Sequence, residues 1–240
     1  METLQAELER LISQLDNADE VKSRVETLIS VYPFNEYEYI ISTLLGAGVL
    51  LLDDYYILRD EYIARNMFLY IFEISAPRGF GELWTQGHLK ELVPELIKPS
   101  KKLDPDYSGQ YDFLLAPQIR LEVKASRAVA FKTDEPLYVK ALSSDSGKQF
   151  DMNFQQIKPA CCDVFVWVGV WRDVIRYWVL ASREVEQNRY YSGGQHRGNI
   201  GEGQLHIKRE NISEFEKYEC RPNELLQAIK DAYIRQTSSS

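Results

Sequence analysis

Tyr111-Asp112-Phe113-Leu114-Leu115-Ala116-Pro117-Gln118-Ile119-Arg120-Leu121-Glu122-Val123-Lys124 reads as two short strands joined by a tight turn at Ala116-Pro117-Gln118. Proline fixes φ and suits a turn, and the flanking residues are β-branched, aromatic or aliphatic. In the second strand Ile119, Leu121, Val123 and Ala125 alternate with Arg120, Glu122 and Lys124. A period of two sends the apolar set to one face and Glu122 with Lys124 to the other. Folding the chain back at Pro117 brings Asp112 opposite or diagonal to Glu122, within cross-strand reach. Two carboxylates and an ammonium then converge on one sheet face beside a run that belongs in a core. Charges are costly there unless they pair or hold a cation.

The chemistry of that trio is the chemistry of a divalent-metal site. Carboxylate oxygens are hard ligands of the kind Mg²⁺ uses, commonly one or two of them, with water and a substrate phosphate completing the shell. A lysine beside the metal is placed to orient or deprotonate a bound water whose pKa the metal lowers. The plainer alternative is an amphipathic hairpin with Glu122 and Lys124 solvated, since Glu-x-Lys is common in exposed strands. Asp112, across the turn, is what favours the metal reading.

Asp112 followed by Glu122-Val123-Lys124 resembles the P-D…(D/E)-x-K nuclease superfamily, and the chain size is similar to that of its type II restriction endonucleases. Tyr111 stands where that family usually has a proline. The resemblance covers the central hairpin alone. It implies that Asp112 and Glu122 bind Mg²⁺ and that Lys124 is the catalytic lysine. It also implies a glutamate on a helix ahead of the first catalytic strand, facing the metal. Glu82, at the start of a helix expected to run to about Ile97, is the best-placed match. The alternative is that Glu82 only favours the helix N-terminal dipole.

Composition sets the frame. A chain of 240 residues with 45% hydrophobic and 12% aromatic content suits one large domain, or one domain with a small subdomain. It has no run of eighteen apolar residues, and its start lacks the basic and apolar regions of a secretory signal, so a cytoplasmic protein with no membrane span is expected. Cys161, Cys162 and Cys220 form neither a disulfide framework nor a Cys-x-x-Cys zinc pattern. The net charge of −8 runs against a nucleic-acid partner at first sight. Its distribution matters more: residues 1–82 hold 6 Lys or Arg against 15 Asp or Glu, whereas residues 83–240 hold 22 against 21. The acidity is N-terminal, which leaves room for a local basic cleft further on.

Taken in order, residues 1–77 read as a helical region, a subdomain or dimerisation wing. Helices are expected over 2–15, from an Asn17/Glu20 capping box to about Ile29, and over 36–45, followed by a strongly apolar stretch from Val49 to Ile74. Residues 78–240 read as the core. Lys98, Lys101 and Lys102 lie in a polar loop before the hairpin, placed to touch phosphate or simply solvated. Asn153 to Lys158 predicts a short helix, with Gln156 as an accessory candidate. Cys161 to Val170 and Val174 to Ala181 predict central strands covered on both faces, and Ser182 an N-cap. A last helix is expected over Asn223 to Arg235.

The second informative segment is 188–207, glycine-rich and polar, with Arg189, Tyr191, Gln195, His196, Arg197 and Asn199. Arg pairs with guanine and Asn or Gln with adenine in the major groove, and tyrosine adds stacking or phosphate contacts. This is the expected DNA-recognition segment; a loop with incidental polarity is the competing reading. The whole predicts an α/β fold, with a mixed central sheet flanked by helices. The function expected is that of a Mg²⁺-dependent, sequence-specific endonuclease on double-stranded DNA, leaving 5′-phosphate ends. A homodimer would match a palindromic site. The alternatives are a structure- or damage-specific nuclease of the same superfamily, and a non-catalytic DNA-binding protein of the same fold.

Overall fold

The computed structural model describes residues 2–26, 33–51, 53–54, 57, 85–115, 118–133, 141–171, 174–194 and 202–238. The expectations for Glu82 and for most of the 49–74 stretch lie outside these residues, as do those for Gln195, His196, Arg197 and Asn199 and for the Ala116-Pro117 turn itself. The chain divides into two compact units. One takes in 1–76, 129–148 and 171–175, the other 77–128, 149–170 and 176–240. Two segments expected in the core, 129–148 and 171–175, thus group with the N-terminal residues.

In the first unit, α1 (Glu2–Ile12), α2 (Ala18–Glu26) and α3 (Pro33–Gly46) contribute to one apolar core. Leu8, Leu11, Ile12, Leu15, Val21, Ile40, Ile41, Leu44 and Leu50 fill it. Leu8, Leu11, Ile12 and Leu15 recur at helical spacing, so one face of α1 and the turn after it is buried. Asn17 Nδ2 reaches Glu20 Oε2 at 3.4 Å, while the Asn17 carbonyl accepts the Val21 N–H. The strand β3 (Val129–Ala130) bridges to Ala141, and Arg24 pairs with Asp145 at 2.6 Å.

The second unit holds α4 (Gln86–Leu92), β1 (Phe113–Leu115), β2 (Ile119–Arg127), β4 (Phe150–Ile157), β5 (Val164–Val170), β6 (Ile175–Ala181), α5 (Ser182–Glu186), β7 (Tyr191–Gly193), β8 (Gly203–Lys208), β9 (Glu219–Cys220) and α6 (Leu225–Thr237). A five-stranded sheet runs β1-β2-β5-β6-β9. It is mixed: β1 pairs antiparallel with β2, β2 parallel with β5, and β6 antiparallel with β9. All seven residues of β5 are buried, as a strand with neighbours on both sides and cover on both faces requires. The α/β class, the hairpin and the two central strands are as expected. Beside this sheet, β4, β8 and β7 pair antiparallel in that order. Phe154 of β4 stacks on Trp167 of β5 with ring centroids 4.8 Å apart.

Four local expectations are corrected. Residues 153–157 belong to β4, not to a helix: Phe150, Met152 and Phe154 alternate inward, and a register shift before Ile157 puts Gln156 at φ 55°. The helix expected to reach about Ile97 ends at Leu92, because Val93 before Pro94 is forced out of helical geometry at φ −130°, ψ 81°. Ser182 does not cap α5; its hydroxyl donates to the Cys162 carbonyl at 2.7 Å, and the Glu184 carboxylate accepts the Ala181 N–H instead. The 188–207 segment is not all loop. Tyr191–Gly193 and Gly203–Lys208 form a ladder that buries Leu205 and Ile207.

Candidate active site

The β1–β2 register pairs Phe113 with Leu121, and the Asp112 N–H donates to the Leu121 carbonyl at 2.8 Å. Continuing that register places Asp112 directly opposite Glu122. In β2, Ile119, Leu121 and Val123 are buried while Arg120, Glu122 and Lys124 stand on the other face, half-buried. The alternation read in the sequence thus puts Glu122 and Lys124 together, with Asp112 across the ladder. Tyr111, at the family's proline position, is buried and donates its hydroxyl to Asp104 at 2.6 Å, which anchors the chain entering the strand.

The charged groups of the site are tightly coupled. Lys124 Nζ lies 2.5 Å from Glu122 Oε1, and the register sets the Asp112 and Glu122 carboxyls facing each other across the ladder. Burial is the main influence on both acids. It pushes Glu122 up from 4.5 to about 7, despite the Lys124 ammonium, and it raises Asp112 as well. Asp112 is the better-supported carboxylate of the two, since its Oδ2 accepts the Val123 N–H at 2.8 Å and its Oδ1 accepts the Gln86 amide. Two facing, desolvated carboxyls form a donor set that a hard cation would relieve.

The surrounding structure explains how other groups reach this point. Helix α4 is fixed to the sheet by Leu89, which is fully buried, and by His88, whose Nε2 lies 2.6 Å from the Tyr177 hydroxyl. Burial holds the His88 imidazole down to about 4, so this ring is a neutral packing group. Gln86, the first residue of α4, then faces Asp112. Ile97 and Leu114 exchange backbone hydrogen bonds of 2.8 Å, which sets Lys98 beside Phe113. The Lys98 ammonium sits 4.2 Å from the Phe113 ring centroid and donates to Gln86 Oε1. Lys158 pairs with Glu202 at 2.8 Å, and that bond is the main cause holding its ammonium above the usual lysine value.

Sequence reasoning brought Asp112, Glu122 and Lys124 together and missed Gln86, Lys158 and Glu202. Among the described residues no group of three His, Cys, Asp or Glu side chains is arranged to hold a metal. Asp112 and Glu122 alone would be the carboxylate ligands there, and two suffice for Mg²⁺ when water fills the remaining positions.

Of the expected DNA-reading residues, two are described. Arg189 is exposed, ion-paired with Glu214 and 4.9 Å from the Tyr190 ring. The Tyr191 ring lies against Gly203, so close that a Cβ there would come within 2.3 Å of it. Neither packs beside the Asp112–Glu122 pair through any contact observed among the described residues. No helix among the described residues is long and apolar enough to cross a membrane. No protein-family model, no curated protein and no solved structure matches the chain.

Proposed function

We propose that the protein is a Mg²⁺-dependent endonuclease that hydrolyses double-stranded DNA at specific sites, with Asp112 and Glu122 as metal ligands and Lys124 as the catalytic lysine. One observation carries this reading: Asp112 and Glu122 face each other across the β1–β2 ladder, half-buried, with the Lys124 ammonium 2.5 Å from Glu122. A solvated hairpin would leave the three side chains apart and unperturbed. Bound between the carboxylates, Mg²⁺ would lower the pKa of a coordinated water and neutralise charge developing on the phosphate.

The chain's own groups then have separate tasks. Asp112, held on both oxygens, keeps a fixed orientation. Glu122 would hold the cation as a carboxylate. Lys124, beside Glu122, would orient the attacking water. In-line attack on phosphorus leaves 5′-phosphate and 3′-hydroxyl ends. A pair of such chains related by a two-fold axis would cut both strands of a palindrome.

The test is incubation of the purified chain with unmethylated phage DNA in Mg²⁺ or in EDTA, beside Asp112→Ala and Lys124→Ala. Discrete fragments in Mg²⁺ only, lost in both variants, are expected, and end-sequencing gives the site. A Mg²⁺-dependent smear would replace site specificity with recognition of structure or damage. Intact DNA throughout, or cutting indifferent to both substitutions, would overturn the assignment.

A further inference from the structure

We propose that Gln86 is a positioning residue for Asp112, held in one amide orientation by Lys98, so that it sets how well the carboxylate pair takes up a divalent cation. The proposal rests on the metal reading of the Asp112–Glu122 pair and extends it to a residue 26 positions from Asp112 in sequence.

The geometry leaves Gln86 little freedom. Its Nε2 donates to Asp112 Oδ1 at 2.5 Å, and its Oε1 accepts from the Lys98 ammonium. An ammonium only donates and an ionised carboxylate only accepts, so the amide has a single satisfactory orientation between them. Lys98 is itself located by the Ile97–Leu114 backbone pair and by the Phe113 ring. Asp112 is thus held from two directions, Oδ2 by the Val123 N–H and Oδ1 by Gln86. Without the Gln86 bond, the Val123 N–H is the one hydrogen bond left to this carboxylate among the described residues, and it is freer to turn about its Cβ–Cγ axis. Groups that orient a metal ligand in this way are worth about 10–100-fold in metal affinity when removed. A glutamate in place of Gln86 would keep the Lys98 contact but could not donate to Asp112. It would instead put a third carboxylate against the pair, which a divalent cation would neutralise.

The experiment measures Mn²⁺ binding to the full-length chain by calorimetry, without DNA, for wild type, Asp112→Ala, Gln86→Leu and Gln86→Glu, with a thermal melt of each. Wild type is expected to bind and Asp112→Ala to lose binding. Gln86→Leu, close in size and lacking both bonds, is expected to bind about 10–100-fold more weakly while melting as a folded protein. Gln86→Glu is expected to bind more tightly than Gln86→Leu. If Gln86→Leu lowers the melting temperature but binds Mn²⁺ like wild type, or if the leucine and glutamate variants bind alike, Gln86 is only structural and the proposal falls. If wild type and Asp112→Ala bind alike, the metal reading itself fails and takes the proposal with it. Should Gln86→Leu fail to fold, Lys98→Met reports on the same link. Unchanged Mn²⁺ affinity in that variant overturns the proposal, and weakened affinity supports it.

Discussion

The Glu122 carboxyl gives the molecule a measurable pH signature. Its folded value of about 7 lies above the ordinary 4.5, so protonation favours the folded state. That contribution is complete below 4.5 and is lost as pH rises through 7. His88 acts with the opposite sign. Burial lowers it from 6.5 to about 4, so its contribution is complete above 6.5 and is lost as pH falls through 4. Between about pH 4.5 and 6.5 the two slopes oppose each other, each worth on the order of 3 kcal/mol over its full range. The wild-type profile is expected to be shallow in this window. Glu122→Gln removes one slope and leaves the other, so its stability in urea should rise steadily from pH 4 to 6.5. It should also exceed that of wild type at pH 8, by about 1–3 kcal/mol. A Glu122→Gln profile parallel to wild type would mean that Glu122 titrates normally. The trio was legible in the sequence because period two and a turn determine which side chains face each other. Gln86 was not, because an amide has no signature until a helix from elsewhere in the chain is docked beside Asp112. The same docking puts Gln86 where a glutamate was sought at Glu82, which lies outside the described residues.

At the level of elements, the face of β5 toward β4 has no spare volume. A Cβ on Gly169 would meet the Trp178 ring at 2.5 Å and the Met152 Sδ at 3.1 Å. Trp178 is a rigid, fully buried neighbour, so the strand rather than the ring would have to move. Gly169→Ala is expected to destabilise by about 1–3 kcal/mol in equilibrium denaturation. Because β5 pairs with β2 over Leu121 to Arg127, the shift should also reach Glu122 and reduce cleavage. A variant as stable as wild type would show that the sheet gives way easily there. The central strands were readable from composition alone, since a continuous apolar run bounded by turns has few other homes. The strand β4 was misread for a specific reason. Asn153, Gln155 and Gln156 look like an exposed helix face, and the irregularity at Gln156 breaks the alternation that Phe150, Met152 and Phe154 establish. In the 188–207 segment the glycines and polar residues concealed a short ladder. In it Tyr191 covers Gly203, and Leu205 and Ile207 alternate inward. Both errors share a cause: antiparallel strands with one polar face and an irregular or glycine-rich end carry a weak, interrupted pattern, and pairing overrides it.

For the molecule as a whole, a net charge of −8 must be reconciled with the polyanionic substrate proposed for it. The carboxylate pair is part of the problem, since any phosphate approaching Lys124 also approaches Asp112 and Glu122. Without a cation at the pair, that approach is repelled; with one, the local charge reverses. Added salt normally weakens DNA binding by competing for phosphate contacts. Binding that strengthens when Mg²⁺ is added therefore cannot come from screening and reports a cation between protein and DNA. Lys124→Met is suited to this measurement because it should hold DNA without cutting it. Its affinity for a cognate duplex is expected to rise at least about tenfold, or 1.4 kcal/mol, on replacing EDTA by Mg²⁺ at constant ionic strength. The rise should vanish in the double variant with Asp112→Ala. If Mg²⁺ leaves the affinity unchanged, or if the gain survives the loss of Asp112, the cation does not sit at this pair. The acidic face would then need another explanation than a phosphodiesterase site.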